Sequence, residues 1–204
     1  MLEHVPHWLG RALSGLRAGV DKIAIVELGR DLPGLELMSP AFPHGGRLPP
    51  RFTADGEGVS PPLVWTAPPA GTASLALLVE DADAPTPQPI VHAVVWGLPA
   101  DAGRLEEGVI APDGDGWRGR DVGRNSFRQE GWLPPDPPTG HGEHRYCFQL
   151  FALDARAPDP GASPGRSALT EAMRGHVLAA GLLVGGYSRE EPAAAGPVGA
   201  VAPG

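Results

Sequence analysis

Cysteine is almost missing: Cys147 is the only one in 204 residues, so no disulfide can form within the chain. A single cysteine inside an apolar stretch reads as a small buried hydrophobe rather than a reactive thiol. No apolar run approaches the ~20 residues that a membrane span needs. Near the start, Trp8, Leu9, Ala12, Leu13 and Leu16 are interrupted by Gly10, Arg11, Ser14 and Gly15, so the continuous apolar core of a secretory signal is lacking and a cytoplasmic location is expected. Positive charge is scarce: 16 Lys and Arg face 24 Asp and Glu, a net charge of −8. That balance argues against nucleic acid or an anionic membrane surface as partner. An anion site in such a chain must work against the overall field, through local N–H groups and imidazoles. HExxH and CxxC metal signatures are absent, as is any internal repeat.

Glycine (29) and proline (25) are abundant, about a quarter of the chain and near the level at which disorder becomes the default reading. Yet 42% of residues are hydrophobic, and their runs alternate with the Pro/Gly clusters. Short strands joined by many turns fit this pattern.

Two stretches carry the chemistry. From Gly123 to Asp154, a Pro/Gly loop runs into His144-Arg145-Tyr146 and then into a strand. On that strand Tyr146, Phe148, Leu150 and Ala152 share one face, and Cys147, Gln149, Phe151 and Leu153 the other, which predicts one buried and one largely covered face. From Ser74 to Ala100, the apolar run Leu75 to Val79 ends in Asp81 and Asp83. A Pro-rich turn follows, and His92 then opens a second apolar strand, Ala93 to Leu98. Asp81, Asp83, His92, His144, Arg145 and Tyr146 therefore sit at strand ends beside stiff loops, as a preformed binding site requires.

Asp81-Ala82-Asp83-Ala84-Pro85, the strand-opening His92, and Pro137-Pro138-Thr139-Gly140 followed by His144-Arg145-Tyr146 resemble the motifs of the phosphatidylethanolamine-binding proteins, in particular their bacterial Raf-kinase-inhibitor-like branch. The resemblance covers roughly residues 35 to 189 and extends to the C-terminal GHVLAAGLLVGGYSR. It implies a mainly β fold, a Greek-key β-sandwich with a peripheral C-terminal helix. It also implies an anion pocket at Asp81, His92, Pro138, Gly140, His144 and Tyr146, with Asp83, Pro85 and Arg145 in support. The ligand would be a small phosphorylated or otherwise anionic molecule, with no cofactor and no metal. Regulation of a kinase or other protein partner through the pocket or its rim follows from the same resemblance. In physical terms, two imidazoles and the turn N–H groups from Thr139 to Gly142 supply donors, Asp81 fixes a tautomer, and Pro85 and Pro138 stiffen the walls. The bland reading of Asp83 and Arg145 is an ion pair that joins the two loops.

Departures from the family pattern are Ala82, Ser126, Arg128, Trp132 and Asp136, and the last adds negative charge near the pocket. The competing reading is enzymatic: Asp81, His92 and His144 as ligands of iron or zinc, or as acid–base groups of a hydrolase with no activated serine.

The rest of the chain frames this site. Residues 1–34 form an N-terminal extension. Leu9, Leu13, Leu16 and Val20 recur at helical spacing, predicting a short amphipathic helix over Pro6 to Ala18. That helix would pack on its own domain, or serve as a homodimer contact or lid. Residues 35–189 form the sandwich domain and residues 190–204 a disordered Ala/Pro/Gly-rich tail. Asp55 reads as a turn residue, DGDGW from Asp113 as an incomplete calcium loop. A helix is predicted over Ala168 to Ala180, with Ser167 as its N-cap, and LLVGGYS as the last strand.

Overall fold

The computed structural model describes residues 7–29, 32–112 and 121–189. Pro6, the DGDGW loop and the 190–204 tail lie outside the described residues. The strands are β1 (Leu37–Met38), β2 (Gly46–Arg47), β3 (Leu63–Trp65), β4 (Thr72–Asp81), β5 (Ile90–Leu98), β6 (Gly103–Leu105), β7 (Asp121–Val122), β8 (His144–Asp154) and β9 (Val177–Tyr187). The helices are α1 (His7–Leu13), α2 (Ala24–Leu28) and α3 (Arg166–Met173). Two sheets form, one in the order β1-β3-β6 and one in the order β2-β9-β8-β4-β5-β7. Within the larger sheet, β8 returns beside β4, which pairs with β5, which pairs with β7. That spatial order is a Greek key.

Alternation along the strands builds the layers. Leu75, Leu77 and Val79 of β4, Tyr146, Phe148 and Leu150 of β8, and Leu183 of β9 meet Leu37, Leu63, Trp65 and Leu105 of the smaller sheet in one core. The opposite faces carry Ala76, Leu78, Phe151 and Leu153, which pack with Ala24 of α2 and with Leu169 and Met173 of α3. The β8 reading from sequence therefore stands: both faces are buried, one between the sheets and one under helices.

The helical expectations need correction. α1 stops at Leu13, and Leu16 and Val20 are exposed, so the predicted apolar stripe is not buried as a unit. Ser14 and Gly15 follow Leu13 directly, and neither favours helix continuation. α3 is shorter than predicted: it begins after Gly165 rather than Ser167, and Ser167 makes no capping bond. It ends at Met173 because Gly175 turns the chain at φ +78. Val177 to Ala180 then join β9, where ten residue pairs with β8 outweigh a helical spacing that small apolar residues satisfy equally well. His176 lies in the turn, 3.1 Å from Asp154, rather than on the helix.

Candidate functional site

At one end of the sandwich the inner face changes from apolar to polar. Along β8 it runs Phe148, Tyr146, His144, and along β4 it runs Val79, Asp81, with Asp81 paired in register with Tyr146. His92 joins them through a β-bulge: Val79 pairs with Ala93 and Glu80 with Val91, so His92 is the extra residue. A bulge re-aims a side chain at the rim of a sheet. Ala93 and Val95 continue into the inner core, while Val91 and Val94 face α3.

The predicted set Asp81, His92, His144 and Tyr146 thus converges. All four are buried, between 0% and 4% exposed. The Tyr146 and His92 rings meet edge-to-face with centroids 5.0 Å apart, and Tyr146 stacks on His144 with centroids 6.4 Å apart. His144 Nδ1–H donates to Asp81 Oδ2 at 2.7 Å, and Asp81 Oδ1 accepts the Asp83 N–H at 2.8 Å. His92 Nδ1–H donates to Leu133 O at 2.6 Å, and Leu133 N–H donates back to His92 O. A carbonyl partner fixes the tautomer, so neutral His92 turns a bare Nε2 lone pair inward. That nitrogen and the Tyr146 hydroxyl are both buried with no partner. Burial pushes His92 down from its ordinary value, against the pull of Asp81 and Leu133, and pushes the Tyr146 phenol well up, with Asp81 adding to the effect.

Pro138 is buried and its carbonyl accepts from His141 N–H, so that donor is used within the turn. Gly140 and Gly142 hold φ of +83 and +98. Pro85 is half-buried in the neighbouring turn. Asp83 is taken up by arginines. It receives Arg145 Nε at 2.6 Å and Nη2 at 2.7 Å, and Arg17 Nη1 at 2.8 Å. Burial would raise the Asp83 carboxyl, but these guanidinium bonds outweigh it and hold it at about 2. The pair is the loop tie that the bland reading expects.

Sequence reasoning missed three residues. His141 Nδ1 lies 2.7 Å from His144 Nε2, and His141 Nε2–H donates to Leu13 O at 2.9 Å and Leu16 O at 3.2 Å. The contacts form one chain from Asp81 through His144 and His141 to Leu13 O. Burial and then the neighbouring His144 push the His141 imidazole down. Arg17 is the second, donating also to Glu143 O at 2.9 Å. The third is Arg189, which contacts Asp55 at 2.7 Å, Asp136 at 2.6 Å and Pro137 O at 2.9 Å. Asp136 is thus ion-paired, but it shares Arg189 with Asp55, so the trio keeps one net negative charge. Asp55 does more than make a turn: it also accepts from Tyr187.

A G-x-S-x-G sequence does occur, Gly161 to Gly165, contrary to the expectation of no serine signature. It lies in the connector before α3, where the Ser163 and Pro164 carbonyls accept from Arg124. No histidine bonds to Ser163 Oγ, which has no partner. Among the described residues no group of three His, Cys, Asp or Glu side chains is arranged to hold a metal ion.

The phosphatidylethanolamine-binding protein family matches residues 38–188. The chain belongs to that family. A protein named UPF0098 from Methanothermobacter thermautotrophicus is 42% identical over 157 residues, covering 76% of this chain and 99% of the relative. One from Aquifex aeolicus is 36% identical over 159 residues, covering 76% and 90%. Among solved structures, a phosphatidylethanolamine-binding protein homologue, CT736 of Chlamydia trachomatis, superposes with a TM-score of 0.68 at 32% identity, covering 77% of this chain and 99% of that one. E. coli YbcL gives 0.70 at 27% identity, covering 76% and 99%. The family match begins after the N-terminal extension, whose strap-like course therefore lies outside it.

Proposed function

We propose that the protein binds a small anionic ligand of the phosphoryl type at the Asp81, His92, His144 and Tyr146 pocket, walled by Pro138 and Gly140 and braced by Asp83, Pro85 and Arg145. The observation that carries this is the pair of buried, unpartnered polar atoms, His92 Nε2 and the Tyr146 hydroxyl. Orphaned polar atoms cost stability unless a ligand or water meets them. A protonated His92 would donate to an anion oxygen from a site with little competing water, and the Tyr146 hydroxyl would donate beside it. Such a pocket, or its rim, also serves the regulation of a protein partner, the role implied by the family's Raf-kinase-inhibitor-like branch, in the cytoplasm.

NMR titration with inorganic phosphate and sulfate tests the reading. Shifts are expected at His92, His144 and the 138–144 loop, with Kd in roughly the micromolar to millimolar range for a few charge-assisted contacts. His144→Ala should weaken binding by about 1–3 kcal/mol. Shifts confined to other residues would remove the assignment.

A further inference from the structure

In this structure the imidazole pocket is shut, and the segment that shuts it precedes the family match at residues 38–188. Leu13 O and Leu16 O both accept from His141 Nε2, and this grip presses His141 Nδ1 to 2.7 Å from His144 Nε2. That nitrogen is the one on His144 not committed to Asp81, and so the one an incoming anion would need. His141 and His144 are each only 1% exposed.

The closing segment follows the rim of the site. Gly10 packs so tightly on the 139–141 turn that a Cβ there would fall 2.1 Å from Thr139 O. Arg17 ties Glu143 O to Asp83. The N–H groups of Ala18 and Gly19 donate to Ala84 O and Ala82 O, on the opposite loop. Both loops that carry the pocket are thereby bridged by ten consecutive residues.

The two halves of this extension are held very differently. From residue 20 onward the hold is deep: Ile23 and Ala24 are buried, Ala24 N–H donates to buried Glu80, and Arg166 binds Glu80, Glu27 and Lys22 O. From residue 11 to 19 only Ala18 is buried, Arg17 is 35% exposed and Leu16 56%. Gly19, at φ +107, stands at the junction. A segment with few buried apolar groups on a firm base opens at far lower cost than the fold itself.

We infer that residues 10–19 are a displaceable strap that keeps the imidazole pocket closed by holding His141 against His144, and that release of the strap admits the ligand. The ligand half of this statement rests on the anion reading above; the closure half does not. When the closed state dominates, apparent affinity falls by the open fraction, so loosening the strap should strengthen binding.

The test uses the full chain with Gly10→Ala, Arg17→Ala and His141→Ala. Backbone hydrogen exchange over residues 10–19 reports strap opening. Deuterium exchange at the His144 ring carbon Cε1 reports access, with exposed His44 as internal control. Sulfate titration reports affinity. Gly10→Ala and Arg17→Ala should speed backbone exchange over 10–19, raise His144 exchange by about tenfold or more relative to His44, and tighten sulfate by about fivefold or more. Arg17→Ala removes a cation from the rim, so tightening there runs against simple charge loss. His141→Ala should tighten sulfate as well, because it vacates His144 Nε2. Strap exchange that rises while His144 exchange stays at the wild-type rate overturns the proposal. So does weaker or unchanged sulfate binding in the opened variants. If no protein binds sulfate but His144 exchange still rises, closure is upheld and the anion reading is what fails.

Discussion

His92 shows how one residue's surroundings set a functional sign. Burial disfavours its charged form, and Leu133 O fixes the proton of the neutral ring on Nδ1, so the inward Nε2 of that form is an acceptor. An anion needs a donor there, and binding must therefore bring in a proton. Linkage then requires sulfate affinity to rise as pH falls from about 8 to about 6, by at most about tenfold per pH unit. Sulfate remains dianionic over this interval, unlike phosphate. Replacing both His92 and His144 by Gln keeps an N–H donor but should flatten the profile, measured by calorimetry. An unchanged wild-type affinity would assign binding to the turn N–H groups instead. Asp83 gives the opposite sign. Its folded carboxyl, at about 2, lies below the unfolded value, so its stabilisation is present above about pH 4 and lost as pH falls through about 2. Asp83→Asn should cost about 2–3 kcal/mol in urea denaturation at pH 7, from the charge-assisted bonds lost to Arg17 and Arg145. Asp81, His144 and Tyr146 were legible because they share one strand face or a motif. His141 was not, because its partners Leu13 and Leu16 lie 128 and 125 residues away. Arg189 was hidden for the same reason, 134 residues from Asp55.

Elements were read well where alternation was strict and less well where small residues blurred it. The β8 pattern placed both of its faces correctly. The bulge that aims His92 left no sequence signal, since Val91, Ala93, Val94 and Val95 are apolar on both sides of it. α3 was drawn too long because Val177 and Ala180 satisfy a helical stripe as well as a strand. The second helix, α2, was missed altogether. Its N-cap residue, Ile23, makes no side-chain cap, and its first N–H groups are met from below by side chains distant in sequence. Buried Glu80 accepts the Ala24 N–H at 2.8 Å, the Gln149 amide at 2.8 Å and Arg166 Nε at 2.6 Å. Glu80→Ala leaves Arg166 and Gln149 without that carboxylate, and should destabilise the protein by about 3–5 kcal/mol in chemical denaturation. Hydrogen exchange over residues 24–28 should rise ahead of exchange in β4 and β8. Equal protection of α2 in the variant would show that apolar contacts alone hold it.

For the whole molecule, the extension and the sandwich share one outer layer. Ile23 packs with Ala82 and Cys147, and Ile25 and Val26 of the extension join Leu182 and Val184 of β9 around this cluster. Burial raises the Cys147 thiol to about 12, which keeps it inert beneath this layer. Deleting residues 1–30 should leave the two sheets folded, because the family match spans residues 38–188 and leaves the extension out. It should also expose an apolar face and shift the protein toward self-association in analytical ultracentrifugation. A truncated chain with no native circular dichroism would show instead that the extension belongs to the folding core.

The sheet margins bear on a different hazard. Among the described residues, β2 and β7 flank the larger sheet and β1 and β6 the smaller, and none is longer than three residues. The long strands β4, β5, β8 and β9 each have neighbours on both sides. β7 covers only Val95 and Trp96 of β5, and β2 only Gly185 and Gly186 of β9. Loop N–H groups of Ser126, Gly123, Leu35 and Gly45 take up Val91 O, Val94 O, Ala180 O and Val184 O along the same edges, so a foreign strand meets few free groups. Growth of the sheets, molecule by molecule, into fibrils is therefore disfavoured even at high concentration.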